Sequence, residues 1–206
     1  MDTSRNSFCR GAVPVVAALL ATVAGAADPL PISLDAESST FNRQTNTVEF
    51  KRLSITQGGL LIRADEAVAT GLDFEQGEWR FDGNVVFTVD QARIEADSAT
   101  INFAVNELQS AELTGTPATF TQAGEAGEEP VSGGANRLGY DNVGHVMHML
   151  GAAWFRQGQN EFKGCDLIYD LDQQQITSGS SDCGEPVVIT IVPRSGENAS
   201  ESSSAP

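Results

Sequence analysis

The sequence predicts an all-β protein, on three observations. First, apolar and polar residues alternate with period two: Val48 and Phe50 against Glu49 and Lys51, Trp79 and Phe81 against Glu78 and Arg80, Ile94 and Ala96 against Arg93 and Glu95. This pattern gives a strand one buried face and one wet face. Second, Val, Ile, Thr and Phe crowd these runs while Gly, Asn, Asp and Gln separate them, as strand and turn chemistry require. Third, no long window past the amino-terminal segment keeps an apolar stripe at helical spacing with caps, so no significant helix is expected there.

The chain opens on a targeting segment. Arg5 and Arg10 form a positive start, an uncharged apolar run follows, and Ala24-Gly25-Ala26 supplies the small residues that a signal peptidase accepts. Residues 1–26 are therefore expected to be a cleaved signal peptide, with cleavage near Ala26 and export of the rest. The apolar run is too short and too rich in Ala and Gly to read as a membrane span. Residues 27–193 read as one domain and residues 194–206, polar and low in complexity, as a disordered tail.

Charge excludes one class of partner. The 206 residues carry 12 Lys and Arg against 28 Asp and Glu, a net charge of −16, and affinity for a phosphate backbone comes mainly from Lys and Arg. Nucleic acid is not an expected partner.

A repeat organises the middle of the chain. LLIRADEAVAT at 60–70 matches ARIEADSATIN at 92–102 through a shared I-x-A-D-x-A, which sets Asp65 and Asp97 at an offset of 32. GNVVFTV from Gly83 recurs as GTPATFTQ from Gly115 at the same offset, and as GAAWFRQG from Gly151 at 36, the difference absorbed by the acidic, Gly-rich insertion GEAGEEP at 124–130. One unit is too small to bury its own apolar face, so successive units must stack on a shared core. Within the motif, Ile94 and Ala96 share one parity while Ala99, Ile101 and Phe103 share the other. Keeping all five on one face requires a bulge or corner at Asp97-Ser98, and the same switch recurs at Asp65-Glu66. An Asp at such a bend hydrogen-bonds locally, so Asp65 and Asp97 read as corner-makers and not as a catalytic carboxylate pair.

Other chemistry is sparse. Of three cysteines only Cys165 and Cys183 lie past the export segment, and two thiols in an oxidising compartment pair; closing that loop is worth ~3 kcal/mol in the chain-entropy account. His145 and His148, the only histidines, fall in a strand-like run three apart and so point to opposite faces. No metal site and no cofactor are expected. There is no P-loop, no dinucleotide glycine fingerprint and no nucleophile elbow, so an enzyme is not expected; the alternative worth weighing is an exported β-solenoid carbohydrate-active enzyme. The predicted interior carries large apolar groups at Ile62, Phe81, Phe87, Ile94, Ile101, Phe103, Phe120, Trp154, Phe155 and Phe162. These either fill a dry core or line a groove that holds something apolar.

Several consecutive elements resemble the OstA-like family of lipopolysaccharide-transport proteins, over about residues 30–193. They are LPISLDAESSTFN at 30–42, GGLLIRADEA, WRFDGNVVF, IEADSATINF, GTPATFTQ, GAAWFRQGQNEFKGCDLIYDL and the closing PVVITIVPR. The chain departs from the family pattern at Glu37, where Asp is usual, at GGANRLGYD (133–141), a weak version of its element, and in its late cysteine pair. The resemblance implies an open antiparallel β-jellyroll of about sixteen short stacked strands in a V-shaped pair of sheets. It implies a periplasmic protein that carries lipopolysaccharide between the membranes, with lipid A acyl chains in the apolar interior, or else a binding module for another lipid or polysaccharide on the same scaffold. By the same analogy, the edge at Val48, Phe50 and Ile55 would meet an inner-membrane anchor (LptC-like). The edge at Val187, Ile189 and Ile191 would meet an outer-membrane translocon (LptD-like) or a second copy, since an unpaired strand edge readily accepts another strand.

Overall fold

The structure is a computed structural model that describes residues 30–70, 76–124, 129–178 and 186–193. The expected signal peptide (1–26), most of the insertion at 124–130, Cys183 and the expected tail from 194 lie outside the described residues. All regular structure within them is strand: β1 (Ser33–Asp35), β2 (Ser38–Asn42), β3 (Thr47–Gln57), β4 (Leu60–Thr70), β5 (Gln76–Val89), β6 (Ala92–Ala104), β7 (Glu107–Gln122), β8 (Val131–Asp141), β9 (Val146–Gln157), β10 (Asn160–Asp170), β11 (Gln175–Ser178) and β12 (Val188–Thr190). They form one antiparallel sheet in the order β1-β3-β4-β5-β6-β7-β8-β9-β10-β11, with β2 also on β3 and β12 also on β10. The all-β antiparallel expectation holds. The described strands number twelve because the ladder runs on through each bend, so two expected short strands become one long one. A β-solenoid enzyme, built from parallel coils, does not fit this antiparallel sheet.

The parity switch read from the repeat is a line of bulges across the whole sheet. Register shifts fall between Arg63 and Glu66, Asp82 and Val85, Glu95 and Ser98, Thr114 and Ala118, Gly134 and Arg137, and Gly164 and Asp166. The motif aspartates sit on this line, as their spacing predicts. Asp65 Oδ2 accepts from Asn84 Nδ2 at 2.7 Å and Asp97 Oδ2 accepts from Thr116 Oγ1 at 3.2 Å. So do the repeated glycines. Gly83 and Gly151 have φ of 78° and 77°, and a Cβ on Gly83 would stand 2.8 Å from Asp65 Oδ2, while one on Gly151 would stand 3.0 Å from Asn136 Nδ2. Glycine here provides both the left-handed backbone and the room for a neighbour's side chain.

The bulges fold the sheet on itself. One wing holds the segments next to the turns at 58–59, 90–91 and 158–159; the other holds those next to 105–106, 142–145 and 171–174. Rings from opposite wings meet across the interior: Phe87 with Tyr140 at 6.1 Å and Phe120 with Tyr169 at 6.3 Å. A single apolar cluster runs from Val48 to Tyr169, with no buried polar or charged residue among those described.

At each end of the stack two short strands share one long strand. β1 pairs with β3 at 54–56 and β2 pairs with it at 47–51, while β12 covers β10 at 161–163 and β11 covers it at 167–170. This corrects the expected amino-terminal edge. Val48, Phe50 and Ile55 face the interior and are buried, and the backbone edge of β3 is taken by β1 and β2. The free edge belongs to β1 and β2. Arg52, on the bend of β3 with φ of 48°, pairs with Glu37 in the link between those two strands.

Candidate lipid groove and its mouth

Nine of the ten predicted interior residues are where the alternation puts them. Ile62, Phe81, Phe87, Ile94, Ile101, Phe103, Phe120 and Phe155 are buried, and Phe162 is half-buried but packs on the cluster, 6.2 Å from Phe155. Trp154 is the exception. It precedes Phe155 on β9, so it must face the other way; it lies on the outer face beside Gly134 of β8, with the Arg156 guanidinium 5.6 Å from its ring centre. Gly134 makes that seat, since a Cβ there would stand 2.8 Å from Trp154 Nε1.

The interior has two aromatic centres. Near the amino-terminal end Trp79 stacks on Phe50 at 5.7 Å and 8° and meets Phe81 and Phe103 at 6.2 and 6.3 Å. Trp79 and Phe50 were not among the residues assigned to the groove from sequence, although both sit in alternating runs. Toward the other end Phe120, Phe155 and Tyr169 form the second centre, with Phe155 and Tyr169 at 4.9 Å. Gly133 makes room for it: a Cβ there would stand 2.2 Å from Phe120 Cε1.

Opposite the bend, the two wings end in facing rows of turns that form a mouth. Gln57, beside the turn at 58–59, donates from Nε2 across it to the carbonyl of Asn106 at 2.9 Å. Farther along, a cavity of about 400 Å³ opens between the rows, with Gln91, Gln122 and Gln157 on one side and Tyr140, Asn142 and Gln174 on the other. Its rim carries Asp90, Glu129 and Asp172. Tyr140 donates to Asn142 Oδ1 at 3.0 Å, and burial first, then the nearby Asp90, Asp172 and Asp141, push its hydroxyl above the ordinary tyrosine value. His145 stands in the turn between β8 and β9 with φ of 48°, not in the strand its neighbours suggested. Its Nδ1 lies 2.9 Å from Asp172 Oδ1, and that hydrogen bond, then the carboxylate charge, raises its pKa. His148 faces outward on β9. Among the described residues no group of three or more His, Cys, Asp or Glu is placed to hold a metal ion.

The carboxyl-terminal edge is apolar and open. Val187 is half-buried beside Gly164, whereas Val188, Ile189 and Ile191 are 57, 53 and 71% exposed. On β10, Glu161 accepts from Lys163 and Arg156, both at 2.8 Å, and these bonds, in that order, lower its pKa. Cys165 lies at the bulge of β10, half-buried.

Residues 66–175, more than half of the chain, match the family described as LptA/(LptD N-terminal domain) LPS transport protein. Lipopolysaccharide export system protein LptA of Escherichia coli is 27% identical over 164 residues, covering 79% of this chain and 71% of that protein. LptA of Haemophilus influenzae is 29% identical over 124 residues, 59% of this chain and 70% of that protein. The structure of LptH from Pseudomonas aeruginosa, the LptA-homologous periplasmic component of the lipopolysaccharide transport device, superposes with a TM-score of 0.51 at 16% identity, over 80% of this chain and 96% of that one. The overall fold is thus shared with LptH, and the chain belongs to the LptA/LptD N-terminal domain family of lipopolysaccharide transport proteins.

Proposed function

We propose that this protein is the soluble periplasmic carrier of lipopolysaccharide, holding the lipid A acyl chains between the two wings and passing the lipid toward the outer membrane. The observation that carries the reading is a continuous apolar interior, free of buried polar side chains among the described residues, that meets water along one polar mouth. Acyl chains would be drawn in by burial of apolar surface, at ~25 cal/mol per Å², while sugars and phosphates stay at the mouth. The closed interior of Ile62, Phe81, Phe87, Ile94, Ile101, Phe103, Phe120, Phe155 and Phe162 then requires the wings to part as lipid enters. No bond is made or broken, so the protein is a conduit and not an enzyme, and the energy for transport comes from elsewhere.

The two ends supply the contacts. The edge of β1 and β2 would meet the inner-membrane anchor. The edge of β11 and β12, with Val188, Ile189 and Ile191 exposed, would meet the outer-membrane translocon or a second copy, head to tail. The first 26 residues would direct export and be cleaved near Ala26. A Cys165–Cys183 bond would tie the last strands to β10, and non-reducing peptide mapping of the exported protein tests it.

A photo-crosslinking residue placed at Phe103, inside, and at Asn102, outside, tests the carrier reading. Both lie on β6 with opposite facing. Adducts with lipopolysaccharide at 103 and not at 102 are expected. No adduct at either position in folded protein would overturn the reading and leave the rings as a filled core.

A further inference from the structure

The cavity at the mouth has a chemistry of its own. Its floor is apolar, from Val89, Ala92, Val131 and Leu171, and its walls are amides, Gln91, Gln122, Gln157, Asn142 and Gln174, from both wings. The side-chain oxygen of Gln122 is shielded from water and meets no donor. Amides above an apolar floor suit the junction of an amphiphile, where acyl chains give way to hydroxyl-bearing sugar. The charges around that junction are one-sided. Asp90, Glu129 and Asp172 rim the cavity, and among the described lining residues the one group able to turn cationic is His145, already engaged by Asp172. No Lys or Arg lines it among the described residues, although the molecule carries arginines on its outer faces, as at Arg80, Arg93 and Arg137.

Resting on the carrier reading above, we propose that this cavity seats the sugar headgroup of the carried glycolipid and that its carboxylates discriminate against phosphate there. Glycolipids with fewer phosphates, or with phosphates capped by a cationic group or a bound divalent ion, are preferred. The mechanism is repulsive selection. The interior supplies affinity to any chain of suitable length, and the rim penalises uncompensated negative charge on a headgroup seated in the cavity. A phosphate brings three acceptor oxygens and nearly two charges, and the rim offers it like charge in place of a cationic partner.

The test compares bis-phosphoryl with monophosphoryl lipid A, of identical acyl chains, for binding to the full mature protein in EDTA. One variant neutralises the rim, Asp90→Asn with Glu129→Gln and Asp172→Asn. A control with the same change in net charge neutralises Glu49, Glu66 and Asp82, which are exposed on the outer side of β3, β4 and β5. Wild-type protein is expected to prefer the monophosphoryl lipid. The rim variant should gain about tenfold for the bis-phosphoryl lipid, and the control should gain little. Magnesium should narrow the wild-type preference. Glu129→Gln alone, at an exposed position, keeps the test open should the triple variant fold poorly. Equal gains from rim and control, or no gain from the rim variant, would overturn the proposal. Failure of wild-type protein to bind either lipid would instead defeat the carrier reading on which it rests, together with the crosslink at position 103.

Discussion

The two long sides of the folded sheet are held by different means. Along the bend, the strands are covalently continuous, and the corner is built residue by residue, Asp65 against Gly83 and Asn136 against Gly151. Along the mouth, rows of turns face one another, and a hydrogen bond from Gln57 to Asn106 reaches across. A bend that sets geometry and a mouth that closes lightly are what a carrier of a long apolar ligand needs. Segments with few buried contacts open at low cost, so the wings should part at the mouth while the bend stays intact.

The sharpest test of the shared interior is Trp79→Ala. Trp79 is buried between Phe50, Phe81 and Phe103, and a large-to-small change there costs about 3–5 kcal/mol, read as a lower urea midpoint. If the loss is under ~1 kcal/mol, the interior is not one cooperative core and the contrast between bend and mouth loses its basis.

The bend itself is probed by Gly83→Val. A β-branched residue must adopt φ near 78° and collide with the Asp65 carboxylate, at a cost of about 1–3 kcal/mol. The double variant with Asp65→Ala should recover part of the loss by removing the collision and not the strain. A fully additive double variant would show that the carboxylate does not shape the corner.

At the mouth, Gln57→Ala should cost only about 0.5–1.5 kcal/mol, yet speed amide exchange in the turn at 105–106 more than at the bend. Equal exchange gains on both sides would erase the distinction drawn here.

The smallest effect is at His145. Its folded pKa lies above the ordinary 6.5, so the tie to Asp172 contributes fully below that ordinary value and is lost as pH rises through the folded one. His145→Gln should therefore lower the melting temperature slightly at pH 5.5 and leave it unchanged at pH 9. The reverse pH dependence would mean the histidine is neutral in the folded protein.

Much of the bend was legible because bulges leave a one-dimensional trace. A parity switch inside I-x-A-D-x-A, repeated at a constant offset, locates a corner without any structure. The interior was legible for the same reason, from alternation. It failed at Trp154, grouped with Phe155 although adjacent residues on a strand must face opposite ways. It failed again at the amino-terminal edge, because no alternation within β3 shows that β1 and β2 both pair with it and take the edge from Val48, Phe50 and Ile55.

The sequence by itself determined the class of fold, the stacking of repeated units, the line of corners and the apolar face, since each follows from neighbours in the chain: period, turn chemistry and repeat; the antiparallel pairing was implied only by the family resemblance. Only the tertiary structure decided how the wings close, that Gln57 reaches Asn106, and that amides and carboxylates from 89–92, 122–131, 140–145 and 157–174 gather round one cavity. Those residues belong to turns separated by whole strands, and no local pattern couples them. What brings them together is the folding of the sheet, which the burial of the interior drives.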